Sequence, residues 1–435
     1  MRSEFEVCGL SGNGYGFWIL QPGHDYLASG PINYEAAFHQ TDTTPVTFGI
    51  IHGGHKTAKT LYFNKSEGPW QKVYGPWFAY LNSGANREVM HLDAKDQYAL
   101  ETAAWPYDWM NHPLYPLQHQ RGSVSGKIAI TDGTLPEGAL VVLSRATRYE
   151  ADHWEGQGMD YIYYAKADSL GDFLIEDIRP ATYSMYISAD GAFDEYRQDG
   201  IVVTQNQNSD VGALSWRPKR QGQLLWQIGT PDRRAKEYKY GDVYTDIWGL
   251  WYDYPTDFPN GVNFIIGESD EATDWNWAQC NVYTGNPEDG QWGLSPWTVQ
   301  FELAQVPDTT CHLTIAICGN RAGNLNIKMN NHEITTLNDI YSDGAYIRCG
   351  LRGYNQTFTI EVAPEVLTLG TNTLLLTQTE PYRYAGIYYD SIRFEAGFKS
   401  DFNNDGVVDL ADLSMFAGEW LTCTVPGMAG CVNLD

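Results

Sequence analysis

Positive charge is what this chain has least of: 28 Lys and Arg stand against 54 Asp and Glu, a net of −26. A surface of that sign repels nucleic-acid phosphates and anionic membrane headgroups, which excludes both as partners. No apolar run is long enough to cross a bilayer, and no leader with a charged start and an apolar centre opens the sequence. Seven cysteines (Cys8, Cys280, Cys311, Cys318, Cys423, Cys431 and Cys349) show no metal-ligand spacing, and their odd number leaves at least one without a disulfide partner. Cys423 and Cys431 are placed to close a small loop. Long Ala/Leu/Glu/Lys tracts are scarce beside 43 Gly and 20 Pro, a balance that favours strands and turns over helices.

Aromatic residues are plentiful, with 15 Trp, 29 Tyr and 16 Phe. Flat rings with polar handles suit sugars, although most will fill β cores. Any polyanionic ligand would need a locally basic cleft. Residues 52–72 offer one, with His52, His55, Lys56, Lys59, Lys65 and Lys72 against Glu67 alone; a solvated strand surface is the alternative.

The pattern divides the chain into four parts. Residues 1–120 read as turn-separated strands at 15–22, 46–52 and as a pair within 70–82, with helical composition over 98–109 broken at Trp105-Pro106. Residues 121–218 hold seven short alternating strands, as in a small fibronectin-III-like sandwich. Residues 219–397 are Trp-rich and Asn/Gly-turned, as in a jelly roll of the carbohydrate-binding kind. Its opening run, 224–228, reads as a strand buried on both faces. Gly229 and Pro231-Asp232 stop it, and Arg233 and Arg234 read as a structural corner. Trp275, Trp277, Trp292 and Trp297 lie near loops as candidates for sugar stacking, with core filling as the alternative.

Residues 398–435 differ in kind. Asp401, Asn403, Asp405, Asp409 and Asp412 place oxygen ligands at positions 1, 3, 5, 9 and 12 of a twelve-residue calcium loop, with Gly406 at 6 and the Val407 carbonyl at 7. Asp stands where an EF-hand has its bidentate Glu, no helix precedes, and a helix over 410–421 follows. This resembles a single dockerin repeat and implies calcium in the tail and a cohesin-like or cell-surface partner.

Residues 224–242, LLWQIGTPDRRAKEYKYGD, resemble the string that starts the last of three β domains in rhamnogalacturonan lyases of polysaccharide lyase family 4. Further strings agree in order: DFPNGV at 257–262, IGESD at 266–270, Asp274-Trp275 and YDSIRF at 389–394. The stretches 15–31 and 70–82 resemble the family's GFWxIxPxxEYxxGGP and WxKVxGPxFxYLN. The resemblance implies an all-β, multidomain chain: a partial catalytic β-sandwich, the fibronectin-III-like and jelly-roll sandwiches, and the calcium-loop-helix tail. It also implies β-elimination at the rhamnose–galacturonate bond of pectin, an extracellular setting, and calcium in the tail with the jelly roll as a further candidate.

Elimination requires neutralising the uronate carboxylate, a base at C5 and an acid for the departing O4. The family's catalytic histidine falls on His52, with His55 as the fallback; Lys56, Trp275 and Trp277 are the candidate substrate contacts. The family's catalytic lysine lies on a strand ahead of the segment corresponding to residues 5–9. No lysine precedes Lys56, so the expectation is a chain cut at both ends and inactive as it stands. The rival expectations are a non-catalytic carbohydrate-binding or anchoring protein, and a lyase for another uronate polymer.

Overall fold

A computed structural model describes residues 7–25, 31, 36–41, 44–50, 69–145, 154–157, 160–242, 253–283, 292–321, 323–342, 353–381, 384–403 and 406–420. The first unit contains β1 (Val7–Gly12), β2 (Tyr15–Leu20), the hairpin of β3 (Ala36–Thr41) and β4 (Thr44–Ile50), β5 (Phe78–Ser83) and α1 (Arg87–Ala104). β1 and β2 pair through Asn13 and Gly14, both at positive φ, as a two-residue hairpin turn requires. β5 adds to the other edge of β2.

The Asn86 side chain caps α1 by accepting from the Val89 amide at 3.0 Å. The helix packs Met90 and Ala94 on Trp18 and Leu20. The helical composition expected over 98–109 is thus the end of a helix that starts eleven residues earlier. It stops at Ala104 because the residue before a proline disfavours helical backbone and Pro106 has no N–H to give. Of the strand pair expected in 70–82, only 78–83 forms, since Gly75 at positive φ and Pro76 interrupt pairing.

Seven strands make the second unit: β6 (Gly122–Ile130), β7 (Leu140–Ser144), β8 (Ile162–Lys166), β9 (Asp172–Ile178), β10 (Ala181–Ser188), β11 (Tyr196–Val203) and β12 (Asn208–Trp216). They form sheets β11-β10-β7-β8 and β12-β6-β9 around Val141, Leu143, Ile175, Met185 and Trp216. The expected sandwich is there, with seven strands among the described residues.

The third unit runs through β13 (Gly222–Ile228), α2 (Tyr254–Asp257), β14 (Asn263–Ile265), α3 (Glu271–Asp274), β15 (Gln279–Cys280), β16 (Val282–Tyr283), β17 (Trp292–Gly293) and β18 (Trp297–Leu303). It continues with β19 (Cys311–Arg321), β20 (Leu325–Met329), β21 (His332–Leu337), β22 (Gln356–Val362), β23 (Gly370–Gln378) and β24 (Gly386–Gly397). Sheet β13-β24-β19-β22, with β15 on β24, faces sheet β14-β18-β23-β20-β21.

β13 departs from expectation. Among the described residues it is an edge strand paired only with β24, so Leu224 stays 50% exposed while Trp226 and Ile228 are buried. The four tryptophans also depart: Trp275 and Trp297 are 0% exposed, Trp277 2% and Trp292 7%. Trp275 stands edge-on to Trp297 at 4.8 Å and to Tyr389 at 5.6 Å, filling the space between the sheets. Trp275 and Trp277 are core, and the expected sugar contact at both is withdrawn. α4 (Leu410–Trp420) follows the tail loop.

Candidate functional site

His52, His55 and Lys56 lie outside the described residues; β4 ends at Ile50, two residues before the first of them. What the structure brings together instead begins with Asp25, the sole acidic residue between Glu6 and Glu35. It follows the end of β2 and its side chain is fully buried between two arginines of the second unit. Arg121 Nη2 donates to Oδ2 at 2.8 Å and Nη1 to Oδ1 at 3.2 Å. Arg179 Nη2 donates to Oδ2 at 2.7 Å, and the Tyr163 hydroxyl to Oδ1 at 3.2 Å.

Aromatic faces take the remaining cationic field. Arg121 lies over Trp105 at 4.6 Å and Tyr115 at 5.3 Å, and Arg179 over Tyr161 at 4.1 Å. Burial works to raise the Asp25 carboxyl; the charges and hydrogen bonds of Arg121, then Arg179, outweigh it and hold the group below the usual carboxylate range. His24 stacks on Tyr164 at 4.4 Å, and burial pulls its imidazole down to about 4 against the pull of Asp25.

Beside this knot lies a cleft of about 450 Å³ lined by Gln71, Gln120, Arg145, Asp160, Tyr161 and Arg179, among others. Lys72, from the basic stretch singled out in the sequence, reaches it: Nζ donates to the Asp160 carbonyl at 2.5 Å and sits 4.7 Å from the Tyr161 ring centroid. Tyr161 donates to the Val73 carbonyl at 2.6 Å, closing the junction from the other side. Sequence reasoning missed Asp25, Arg121 and Arg179 because the partners are 96 and 154 positions apart. The one available signal was an isolated carboxylate in an apolar, glycine-rich stretch.

The Arg233 corner is structural, as expected. Arg233, at positive φ and 8% exposed, pairs with Glu155 at 3.4 Å and with Glu195, both of the second unit. Asp390 Oδ1 accepts the amides of Asp232 at 3.0 Å and Arg234 at 3.1 Å, which fixes the turn. Burial, then the nearby Asp232 charge, pushes the Asp390 carboxyl well above its usual range.

In the tail, Asp401 Oδ2 accepts the Gly406 amide at 2.8 Å. Buried Asp412 accepts from Phe402 at 2.7 Å, Asn403 at 3.2 Å and Asp409 at 2.8 Å. The carboxylates at loop positions 1 and 12 therefore fold the chain on itself; Asp412 Oδ1 takes two amides, while Asp401 Oδ2 and Asp412 Oδ2 take one of these amides each. Gly406, at φ +83°, lies against the Arg220 carbonyl, where a Cβ would come within 2.0 Å. The loop thus rests on the linker between the second and third units. Asp405 lies outside the described residues, and among those described no group of three or more His, Cys, Asp or Glu converges as a metal site, the jelly roll included. The oxygen donors Asp401, Asn403, Asp409, Asp412 and the Val407 carbonyl are nonetheless of the hard type that suits calcium.

Residues 120–211 match the family model for polysaccharide lyase family 4, domain II, and residues 224–394 match that for domain III. Across these two domains the chain belongs to polysaccharide lyase family 4. A probable rhamnogalacturonate lyase B of Aspergillus niger is 26% identical over 389 residues, covering 80% of this chain and 51% of that one. The rhamnogalacturonate lyase of Dickeya dadantii is 27% identical, covering 77% and 54%. A probable rhamnogalacturonate lyase C of Emericella nidulans is 28% identical, covering 73% and 32%. The chain spans about half the length of the first two. In these terms the Asp25 knot joins the unit ahead of domain II to domain II, and Arg233 joins domain III to domain II.

The depressed His24 imidazole gives a pH signature. A histidine whose folded pKa is about 4 rather than 6.5 is protonated first in the unfolded chain, so its contribution is complete above pH 6.5 and is lost as pH falls toward 4. Glu237, pushed up to about 7 by burial, bends the curve the other way, so the readout is a difference. His24→Phe, which keeps the stack, is expected to lose less stability than the parent between pH 6.5 and 4 in thermal melts. Parallel curves would refute the assignment.

Proposed function

We propose that the protein carrying this chain is an extracellular rhamnogalacturonan lyase that cleaves the rhamnose–galacturonate bond of plant pectin by β-elimination. The observation that carries this reading is the consecutive match of domains II and III, with alignment to relatives named rhamnogalacturonate lyases that reaches beyond those two domains. The proton at C5 is weakly acidic, so the chemistry rests on neutralising the uronate carboxylate and placing a base at C5. His52 is the residue to which the family resemblance assigns part of that proton transfer, with His55 as the fallback and Lys56 as a substrate contact. Incubation of the full-length protein with rhamnogalacturonan I is expected to generate the ultraviolet absorbance of an unsaturated uronate. His52→Ala is expected to lower that rate by about two to four powers of ten, the usual contribution of a general acid or base. An unchanged rate would move the role to His55.

The tail is read as a calcium-binding anchor, with Asp401, Asn403, Asp405, Asp409, Asp412 and the Val407 carbonyl holding the ion. Bound calcium would neutralise the loop's carboxylates; the amides of Phe402, Asn403, Gly406 and Asp409 already orient two of them. The ligand order and the helix that follows also support an anchoring partner of cohesin type. Calcium at about a hundred times its Kd should stabilise the tail by about 2.7 kcal/mol. In a chelator-treated sample, calcium is expected to raise the melting midpoint and the helical circular dichroism, and Asp412→Ala to abolish both. No response in the parent chain would sink the calcium site.

A further inference from the structure

We propose that the cleft between the domain II sandwich and the segment ahead of it is a carboxylate-recognising subsite for a uronate residue of the polymer, with Arg145 as its exchangeable donor. The inference rests on the lyase reading for the kind of polymer, but its geometry is independent of the catalytic residues. The chain carries a net charge of −26, so an acidic polysaccharide can settle only where the local sign is reversed. The described residues around this cleft reverse it. Lys72, Arg121, Arg145 and Arg179 stand against Asp25, Asp160 and Asp177. Asp25 is shared by two guanidiniums, so a buried positive excess lies behind the wall that Arg179 forms.

Arg145 is the exchangeable part. Its side chain is 49% exposed and, among the described residues, makes one ion pair, Nη1 at 3.1 Å to Asp160, which is itself 33% exposed. Such a half-solvated pair is worth little, so a ligand carboxylate on the planar guanidinium fork can displace Asp160 at small cost. Arg179, by contrast, is committed to Asp25 and to the Leu114 carbonyl at 2.6 Å; it supplies charge and shape. Tyr161, whose ring carries Arg179 and Lys72, closes one side of the cleft, and the exposed amides of Gln71 and Gln120 offer hydrogen bonds to a sugar's hydroxyls. The volume suits one or two pyranose rings.

Isothermal titration of the full chain with a galacturonate tetrasaccharide, and with a neutral galactose tetrasaccharide of the same length, tests this. The charged oligomer is expected to bind and the neutral one not. Arg145→Glu should weaken binding about tenfold. Asp160→Asn, which removes the competing carboxylate, should strengthen it severalfold. Structural damage would weaken binding in both variants, so the opposite signs separate recognition from misfolding. Equal binding of the neutral oligomer, full affinity in Arg145→Glu, or weaker binding in Asp160→Asn would each overturn the subsite. No binding by the parent chain would overturn it too, while the lyase reading would still stand or fall on the absorbance of the full-length protein's product.

Discussion

One carboxylate between two guanidiniums sets the terms for the first half of this structure. Asp25 has no solvent contact, and a buried ion is tolerated only where partners replace the water it has lost. Arg121 and Arg179 do so from two places in domain II, the residue leading into its first strand and the loop between β9 and β10. The segment after β2 is thereby fixed to domain II at two points. Two cations on one anion leave a positive remainder, which the faces of Trp105, Tyr115 and Tyr161 absorb. Those rings and the arginines are also the walls of the junction, so the feature that binds the units together gives the cleft its sign.

The junction of domains II and III inverts this arrangement. There one guanidinium, Arg233, is held between two carboxylates, Glu155 and Glu195. The charge left over at the two joints has opposite signs, which is how an acidic chain keeps a basic surface at one place. The tail adds a third contact, since Gly406 can sit on the Arg220 carbonyl only without a side chain. The linker of domains II and III is therefore braced by the loop whose carboxylates face inward. Calcium in that loop would stiffen the linker as well as the tail.

Much of the architecture was legible from alternation. The strands of domain II are legible because apolar residues between turn residues fall either in alternation, as at Val124, Ile128 and Ile130 of β6, or in a continuous run, as at 140–143 in β7. The start of α1 was missed because its first two turns mix charged residues with Val89, Met90 and Leu92, of which only Met90 is buried, so the sequence shows no clean amphipathic face; the Asn86 cap marks the beginning. β13 was misjudged because a mostly apolar run such as Leu224, Leu225, Trp226 and Ile228 looks the same in a central strand and at an edge. The tryptophans were misplaced for a related reason: proximity to turns in sequence does not tell which side of a sandwich a ring occupies. The catalytic histidine was legible only through family resemblance, and its neighbourhood lies outside the described residues. The Asp25 knot was not legible, because its members share no pattern and meet only when two separate units pack.

The account depends on Asp25 and Arg179 acting as a pair across that packing. A double-mutant cycle on urea unfolding, with Asp25→Asn, Arg179→Gln and both together, measures this directly. Removing Asp25 strands both buried guanidiniums, a loss of about 3–5 kcal/mol, and removing Arg179 afterwards should cost much less than removing it while Asp25 is present. The account predicts a coupling energy of about 1.5 kcal/mol or more. Additive losses, with coupling below about 0.5 kcal/mol, would contradict it.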